Sequence, residues 1–130
     1  MALIDKINMV KEFHEAFGIH NNEVPTTQLS KEEIQLRFDL IKEENEEYLE
    51  AANNGDLVEI ADALGDQLYI LCGTMLKHGL QYKMEEIFDE IQRSNMSKLG
   101  ADGKPIYRED GKVMKGPNYF KPDIKKILES

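Results

Sequence analysis

Residues 43–66 read Glu43-Glu44-Asn45-Glu46-Glu47-Tyr48-Leu49-Glu50-Ala51-Ala52-Asn53-Asn54-Gly55-Asp56-Leu57-Val58-Glu59-Ile60-Ala61-Asp62-Ala63-Leu64-Gly65-Asp66, and this stretch decides the fold. Asn53, Asn54 and Gly55 stop one helix, and Asp56 is placed to cap the next. Two helices joined by so short a turn pack antiparallel. At about 100° per residue, Glu44 falls on or beside the apolar stripe of the first helix, among Leu40, Ile41, Tyr48 and Ala51. Glu47 follows one turn later on the same edge and Glu43 sits at its border, whereas Glu46 and Glu50 project to the other side. In the second helix Glu59, Asp62 and Asp66 are the only charges between Leu57 and Leu76, and steps of three and four place them on one face.

The two acidic stripes can therefore confront each other. Carboxylates gathered there repel one another and lose hydration, at a cost on the order of several kcal/mol each. A divalent cation removes that cost. With neither cysteine nor histidine in the stripes, the oxygen-only donor set suits Mg²⁺, or alternatively Mn²⁺, better than zinc or copper. A ferritin-type di-iron bundle requires Glu-x-x-His on two helices. Here the third residue after Glu44 is Glu47 and after Glu59 is Asp62, and His14, His20 and His78 lie outside the stripes, as packing or surface residues. Two plainer readings stay open: the acidic run as a solvated helix face, and Glu59 as the reciprocal partner of an Asp56 capping box.

Outward from this hairpin, periodicity of about 3.6 residues continues to both sides. The helix entering it opens at Ser30, which with Glu33 forms a capping box, and runs to about Asn53; the helix leaving it runs from Leu57 to about His78 and stops at Gly79. A preceding helix spans about Ile4 to Phe17, with Ile7, Val10, Phe13, His14 and Phe17 on one face. A following one spans about Lys83 to Met96, with Met84, Ile87, Phe88 and Ile91 directed inward. Beyond Leu99, glycines and prolines break the pattern, and the Ile106-Tyr107 and Val113-Met114 pairs around Asp110-Gly111 predict an ordered loop or small hairpin. A short terminal helix is expected over Asp123 to Leu128.

The expected architecture is all-α: a small antiparallel bundle over about residues 4–98, an irregular basic loop segment over about 99–122, and a single domain over 1–130. Of the 130 residues, 25 are acidic and 16 basic, for a formal net charge of −9. That balance argues against a nucleic-acid polymer as partner. No apolar run reaches the roughly 18 residues of a membrane span, the N-terminus lacks a signal-peptide layout, and the lone Cys72 rules out an internal disulfide framework, so the chain reads as a soluble, cytoplasmic protein. Its modest core favours pairing with a second copy.

Charge is uneven along the chain. Residues 93–121 carry seven basic and three acidic side chains, leaving nine basic and 22 acidic elsewhere. A cationic, amide-rich segment suits the phosphate charge that protein-bound Mg²⁺ leaves over. Ser94, Asn95, Ser97 and Lys98 are candidates for phosphate or sugar contacts, with Arg93 and Lys115 as further cations, and Asn118, Tyr119 and Phe120 are candidates for a base or ribose.

Taken together, Glu43-Glu44-x-x-Glu47 and Glu59-x-x-Asp62 resemble the signature of the all-α nucleoside triphosphate pyrophosphohydrolases, the MazG-like group that includes phosphoribosyl-ATP pyrophosphatases and dimeric dUTPases. The likeness extends through Asp62-Ala-Leu-Gly-Asp66-Gln-Leu-Tyr69, Arg93 to Gly103 and Lys115-Gly-Pro-Asn-Tyr-Phe120. It implies a MazG-type bundle, a homodimer or dimer of dimers, and Mg²⁺-dependent hydrolysis of a nucleoside triphosphate, with dUTP as one preferred substrate. By the same resemblance Glu44, Glu47, Glu59 and Asp62 would bind metal, Asp66 would support them, and Glu43, with Glu47, would orient or deprotonate the attacking water. The alternatives are phosphoribosyl-ATP hydrolysis in histidine synthesis and a non-catalytic helical module that binds a nucleotide or protein in the same groove.

Overall fold

The computed structural model describes residues 2–130. Five helices follow in order: α1 (Leu3–Ala16), α2 (Lys31–Asn53), α3 (Leu57–Lys77), α4 (Met84–Met96) and α5 (Ile124–Glu129). The class is all-α; the one β feature among the described residues is an isolated antiparallel bridge between Tyr107 and Val113. That bridge is the expected small hairpin, closed by Arg108 N–H on the Lys112 carbonyl (2.8 Å) and Met114 N–H on the Ile106 carbonyl (2.7 Å). No helix among the described residues is long and apolar enough to cross a membrane.

Contacts divide the chain into two compact units, up to Tyr82 and from Lys83 onward. In the first, α2 lies along α3 and α1 packs on α3. Ile7, Val10 and His14 of α1 are buried, as are Ala51 of α2 and Ala63, Cys72, Gly73 and Leu76 of α3. The helix ends form as their sequence predicts. Ser30 Oγ accepts the Glu33 N–H at 3.1 Å and Glu33 returns a carboxylate to the Ser30 N–H at 3.3 Å. Gly79 ends α3 at φ 67°, where a Cβ would also meet the Val24 carbonyl oxygen at 2.1 Å, so only glycine fits.

The last carbonyls of α3 are not left to solvent. Asn22 donates from its backbone to Leu76 O (2.9 Å) and from its side chain to Lys77 O (2.6 Å), and Thr26 N–H reaches His78 O at 2.9 Å. The loop between α1 and α2 thereby caps α3. Lys77 is buried beneath that loop, with Nζ on the His20 carbonyl (2.7 Å) and on Glu33 (3.0 Å).

In the second unit α4 packs on α5, and Asp123 caps α5 through the Lys126 N–H. Ile87 is buried, but Phe88 is 65% and Ile91 40% exposed, contrary to their expected inward positions. A six-residue α5 covers too narrow a strip of α4 to bury them. Phe13 and Phe17, expected on the face of Ile7, Val10 and His14, are exposed at 40% and 69%; Phe17 lies past the last residue of α1 as its C-cap, and its ring packs on Phe13 at 4.5 Å.

Candidate functional site

Asn54, Gly55 and Asp56 make the turn between α2 and α3, and an open cleft of about 450 Å³ lies beside it, lined by Glu47, Glu50, Ala51, Asn54, Asp56, Glu59 and Asp62. Asp56 Oδ1 accepts the Glu59 N–H at 3.2 Å, which starts α3. No return bond from the Glu59 carboxylate accompanies it, so Glu59 is not held in a capping box and lines the cleft. Glu50, expected on the other side, lines the cleft as well, since it follows Glu47 by three residues and so shares its face. Glu46 does face away, beside Lys42 at 3.9 Å.

Deeper along the hairpin the antiparallel register is marked by Gln67 Nε2 donating to Asn45 Oδ1 at 3.2 Å. In that register Glu44 comes within electrostatic reach of Asp66. Glu44 is half-buried and its Oε2 is shielded from solvent with no hydrogen-bond donor in reach. Burial first, then a hydrogen bond shared with the Glu47 carboxylate, then the charges of Glu47, Asp66 and Glu43, push the Glu44 carboxyl from 4.5 up to about 7. Asp66 is also raised, by burial and by the charges of Asp62 and Glu47. These acids strain against one another rather than being paired with lysine or arginine.

Among the described residues, no three Asp, Glu, His or Cys side chains converge on one point as a finished ligand set. The carboxylates instead line a polar groove, as like charges do when nothing draws them together. Their chemistry nonetheless fits a hard cation: the donors are all oxygen, and the solvent-shielded Glu44 Oε2 lacks the positive partner that a buried carboxylate requires.

Comparison with known proteins bears on this groove directly. The sequence model of the phosphoribosyl-ATP pyrophosphohydrolase family matches residues 10–95, which include both acidic helices and the turn between them. The chain belongs to that family. It is 35% identical over 126 residues to protein L479 of Acanthamoeba polyphaga mimivirus, covering 92% of this chain and 46% of that protein, so it spans about half the length of that relative. A crystal structure from Exiguobacterium sp. 255-15, assigned provisionally as an NTP pyrophosphohydrolase, superposes with a TM-score of 0.51 at 26% identity, covering 95% of this chain and 91% of the other.

For a pyrophosphohydrolase family member, the sequence-derived acids fall into two neighbouring groups. Glu47, Glu59 and Asp62 line the open cleft near the turn. Glu44 and Asp66 sit farther along the hairpin, electrostatically joined to the first group through Glu47 and Asp62, and Glu43 adds its charge to Glu44. Asn54, Asp56 and Glu50 are cleft residues that sequence reasoning assigned to the turn or to solvent.

The basic candidates lie in the second unit, where two of them have internal partners. Arg93 is bonded to Glu90 at 2.9 Å and its guanidinium lies 4.9 Å from the Phe120 ring centroid. Lys115 lies 4.8 Å from the Tyr119 centroid. Asn95 and Asn118 are exposed and Lys98 half-buried. Ser94, expected to contact phosphate or sugar, is instead buried with its Oγ donating to the Phe120 carbonyl, and Ser97 Oγ accepts the Phe120 N–H, so the two serines fasten the end of α4 to the segment carrying Asn118 and Tyr119.

Proposed function

We propose that this chain hydrolyses a nucleoside triphosphate to the monophosphate and pyrophosphate in a divalent-cation-dependent reaction. In that reaction a water oxygen bonds to phosphorus and the bond to the pyrophosphate leaving group breaks. The observation that carries the reading is the confrontation of α2 and α3 carboxylates around Glu44, whose inner oxygen has no partner although the neighbouring charges are all negative.

Glu44, Glu47, Glu59 and Asp62 are the residues that would hold Mg²⁺ or Mn²⁺, with Asp66 in support. Once bound, such a cation neutralises phosphate oxygens and lowers the pKa of water. The remaining work belongs to the carboxylates of this chain. A Glu43 or Glu47 oxygen accepts the proton of the attacking water. Asp56 keeps the first turn of α3 in place through the Glu59 N–H, so that Glu59 and Asp62 stay directed at the cleft.

A second copy is the natural cover for α3. Leu57, Ala61, Leu64, Leu68 and Leu71 repeat at steps of four and three and are all exposed. That spacing is the seam of helix-to-helix packing, which supports a homodimer or a dimer of dimers.

Pyrophosphate release from a panel of ribo- and deoxynucleoside triphosphates, dUTP included, with and without Mg²⁺, tests the reading. Phosphoribosyl-ATP belongs in the panel because the matched family carries its name. Cation-dependent turnover that Glu44→Gln or Asp62→Asn destroys supports the assignment, full activity in those variants refutes it, and no turnover of any substrate leaves a binding module.

A further inference from the structure

Arg37 lies two helical turns before Glu44 on the same face of α2, as Gly73 lies two turns beyond Asp66 on α3. Where Glu44 and Asp66 bring carboxylates together, Arg37 and Gly73 bring a guanidinium onto bare backbone. Arg37 Nη2 donates to the Ile70 carbonyl at 2.7 Å and Nε to Thr74 Oγ1 at 2.9 Å, while Thr74 Oγ1 itself donates to the same carbonyl at 3.1 Å. A Cβ built at Gly73 would stand 2.6 Å from Nη2 and 3.0 Å from His14 Nε2, so the absence of a side chain there is what admits the guanidinium. No carboxylate forms an ion pair with Arg37 among the described residues. An arginine half-buried without an anionic partner gains nothing from charge pairing; its planar fork fixes a position.

We propose that Arg37, seated on Gly73, is a positioning residue that sets the axial register of α2 on α3 and thereby holds Glu44 and Glu47 opposite Asp62 and Asp66. Mutual repulsion acts to slide or part the helices at the acidic layer. The turn at residues 54–56 restrains the layer from one end only, and Arg37 restrains it from the other. The role as a support for metal binding rests on the reading given under Proposed function; the register role does not.

Two measurements separate these. Calorimetric titration of the full chain with Mn²⁺ alone reads the acidic layer, and Arg37→Met is expected to weaken binding about tenfold, the lower end of the loss seen when outer supports of metal ligands are removed. Gly73→Ala, which leaves the arginine in place but removes its seat, weakens binding similarly, the double variant is little worse than either, and Arg37→Lys falls between. The register is read without metal by introducing cysteines at Asn45 and Gln67 and following their joining by dibromobimane, with Cys72 buried and out of reach. Cross-linking is expected to slow several-fold in the Arg37→Met and Gly73→Ala backgrounds while helix content by circular dichroism is retained. Unchanged cross-linking in both backgrounds overturns the proposal, as does unchanged Mn²⁺ affinity. If the parent chain itself binds no Mn²⁺, the metal reading fails, and the cross-linking rates still decide the register claim. Should Arg37→Met not fold, Arg37→Lys and Gly73→Ala carry the same comparison.

Discussion

The two ends of α3 treat polar groups in opposite ways. Toward its C-terminal end the polar groups have hydrogen-bond partners: Lys77 has Glu33 and the His20 carbonyl, His14 has Asn21 at 2.6 Å, and Asn22 takes up free carbonyls of the last turn. One neutral acceptor there, Gln81 Oε1, is buried without a donor, while the same amide donates to Asn22 O at 2.9 Å. At the N-terminal end Glu59, Asp62 and Asp66 face Glu44 and Glu47 with no cation of the protein between them. The first arrangement is what folding free energy favours. The second opposes it, and this is the ground on which a charge-supplying ligand is proposed.

The largest effect expected from breaking this contrast is on turnover. Glu44→Gln and Asp62→Asn should each lower pyrophosphate release by about a hundredfold or more, as loss of a first ligand exceeds the roughly tenfold to hundredfold loss of an outer one. Thermal melting without divalent cation should show the same variants equally stable or more stable than the parent, because a repelling charge has gone. A variant that loses stability in step with activity would place Glu44 among the structural residues instead.

At the other end the sign reverses. Lys77→Met removes the partner of Glu33 and of the His20 carbonyl, and should cost about 2 kcal/mol in urea unfolding, within the range for losing a charge-assisted hydrogen bond beneath a loop. The value is set below that of a fully buried pair because Glu33 keeps 41% of its side chain exposed. Turnover per folded molecule should be unaffected, since Lys77 lies at the end of α3 away from the acidic cleft.

Which of these features the sequence displays follows from their range. The hairpin is legible because Asn53 to Asp56 act through their own backbone, and Ser30 with Glu33 because a capping box spans three residues. The acids of α3 are legible because their spacing needs only the helical period. Glu50 is legible by the same period, three residues after Glu47, and its assignment to the other side misread that spacing. Arg37 is hidden: its partners are a carbonyl and a hydroxyl more than thirty residues away, and a backbone acceptor has no residue type to notice. Lys77 looks like any surface lysine until the loop lies over it. Phe88 was expected inside since its amphipathic face is real, but the six residues of α5 do not extend far enough to cover it.

The two ends should respond to pH in opposite directions. Burial holds the His14 imidazole below its ordinary 6.5, with the nearby Arg37 and Lys77 charges acting in the same direction and Asn21 against it. A depressed folded value gives stability that is present above 6.5 and lost as pH falls through that region. Glu44 is raised from 4.5 to about 7, facing Glu47, Asp66 and Glu43, so its contribution is present below 4.5 and lost as pH rises toward 7. Below 6.5 the two contributions run in opposite directions and between 6.5 and 7 only the Glu44 loss remains, so melting curves of the parent are compared with those of each variant across that window. Glu44→Gln should remove the loss of stability on rising pH, millimolar Mg²⁺ should offset that loss in the parent, and His14→Gln should remove the opposing gain.

The smallest effect comes from two helix caps that look alike in sequence and differ in place. Ser30→Ala removes a cap remote from the cleft and should cost about 1 kcal/mol with turnover unchanged. Asp56→Asn is the sharper case, because asparagine caps about as well as aspartate, so stability should move by less than about 0.5 kcal/mol. What changes is one negative charge on the wall of a cleft that already holds Glu47, Glu50, Glu59 and Asp62. If that wall serves only to start α3, the substitution is silent in every assay. If it also contributes to the field that draws a cation in, Mn²⁺ affinity drops by a small factor that added salt diminishes, since screening weakens an exposed charge acting at a distance. A measurable, salt-sensitive loss with an intact melting curve would tie the cap of α3 to the function of the groove it borders.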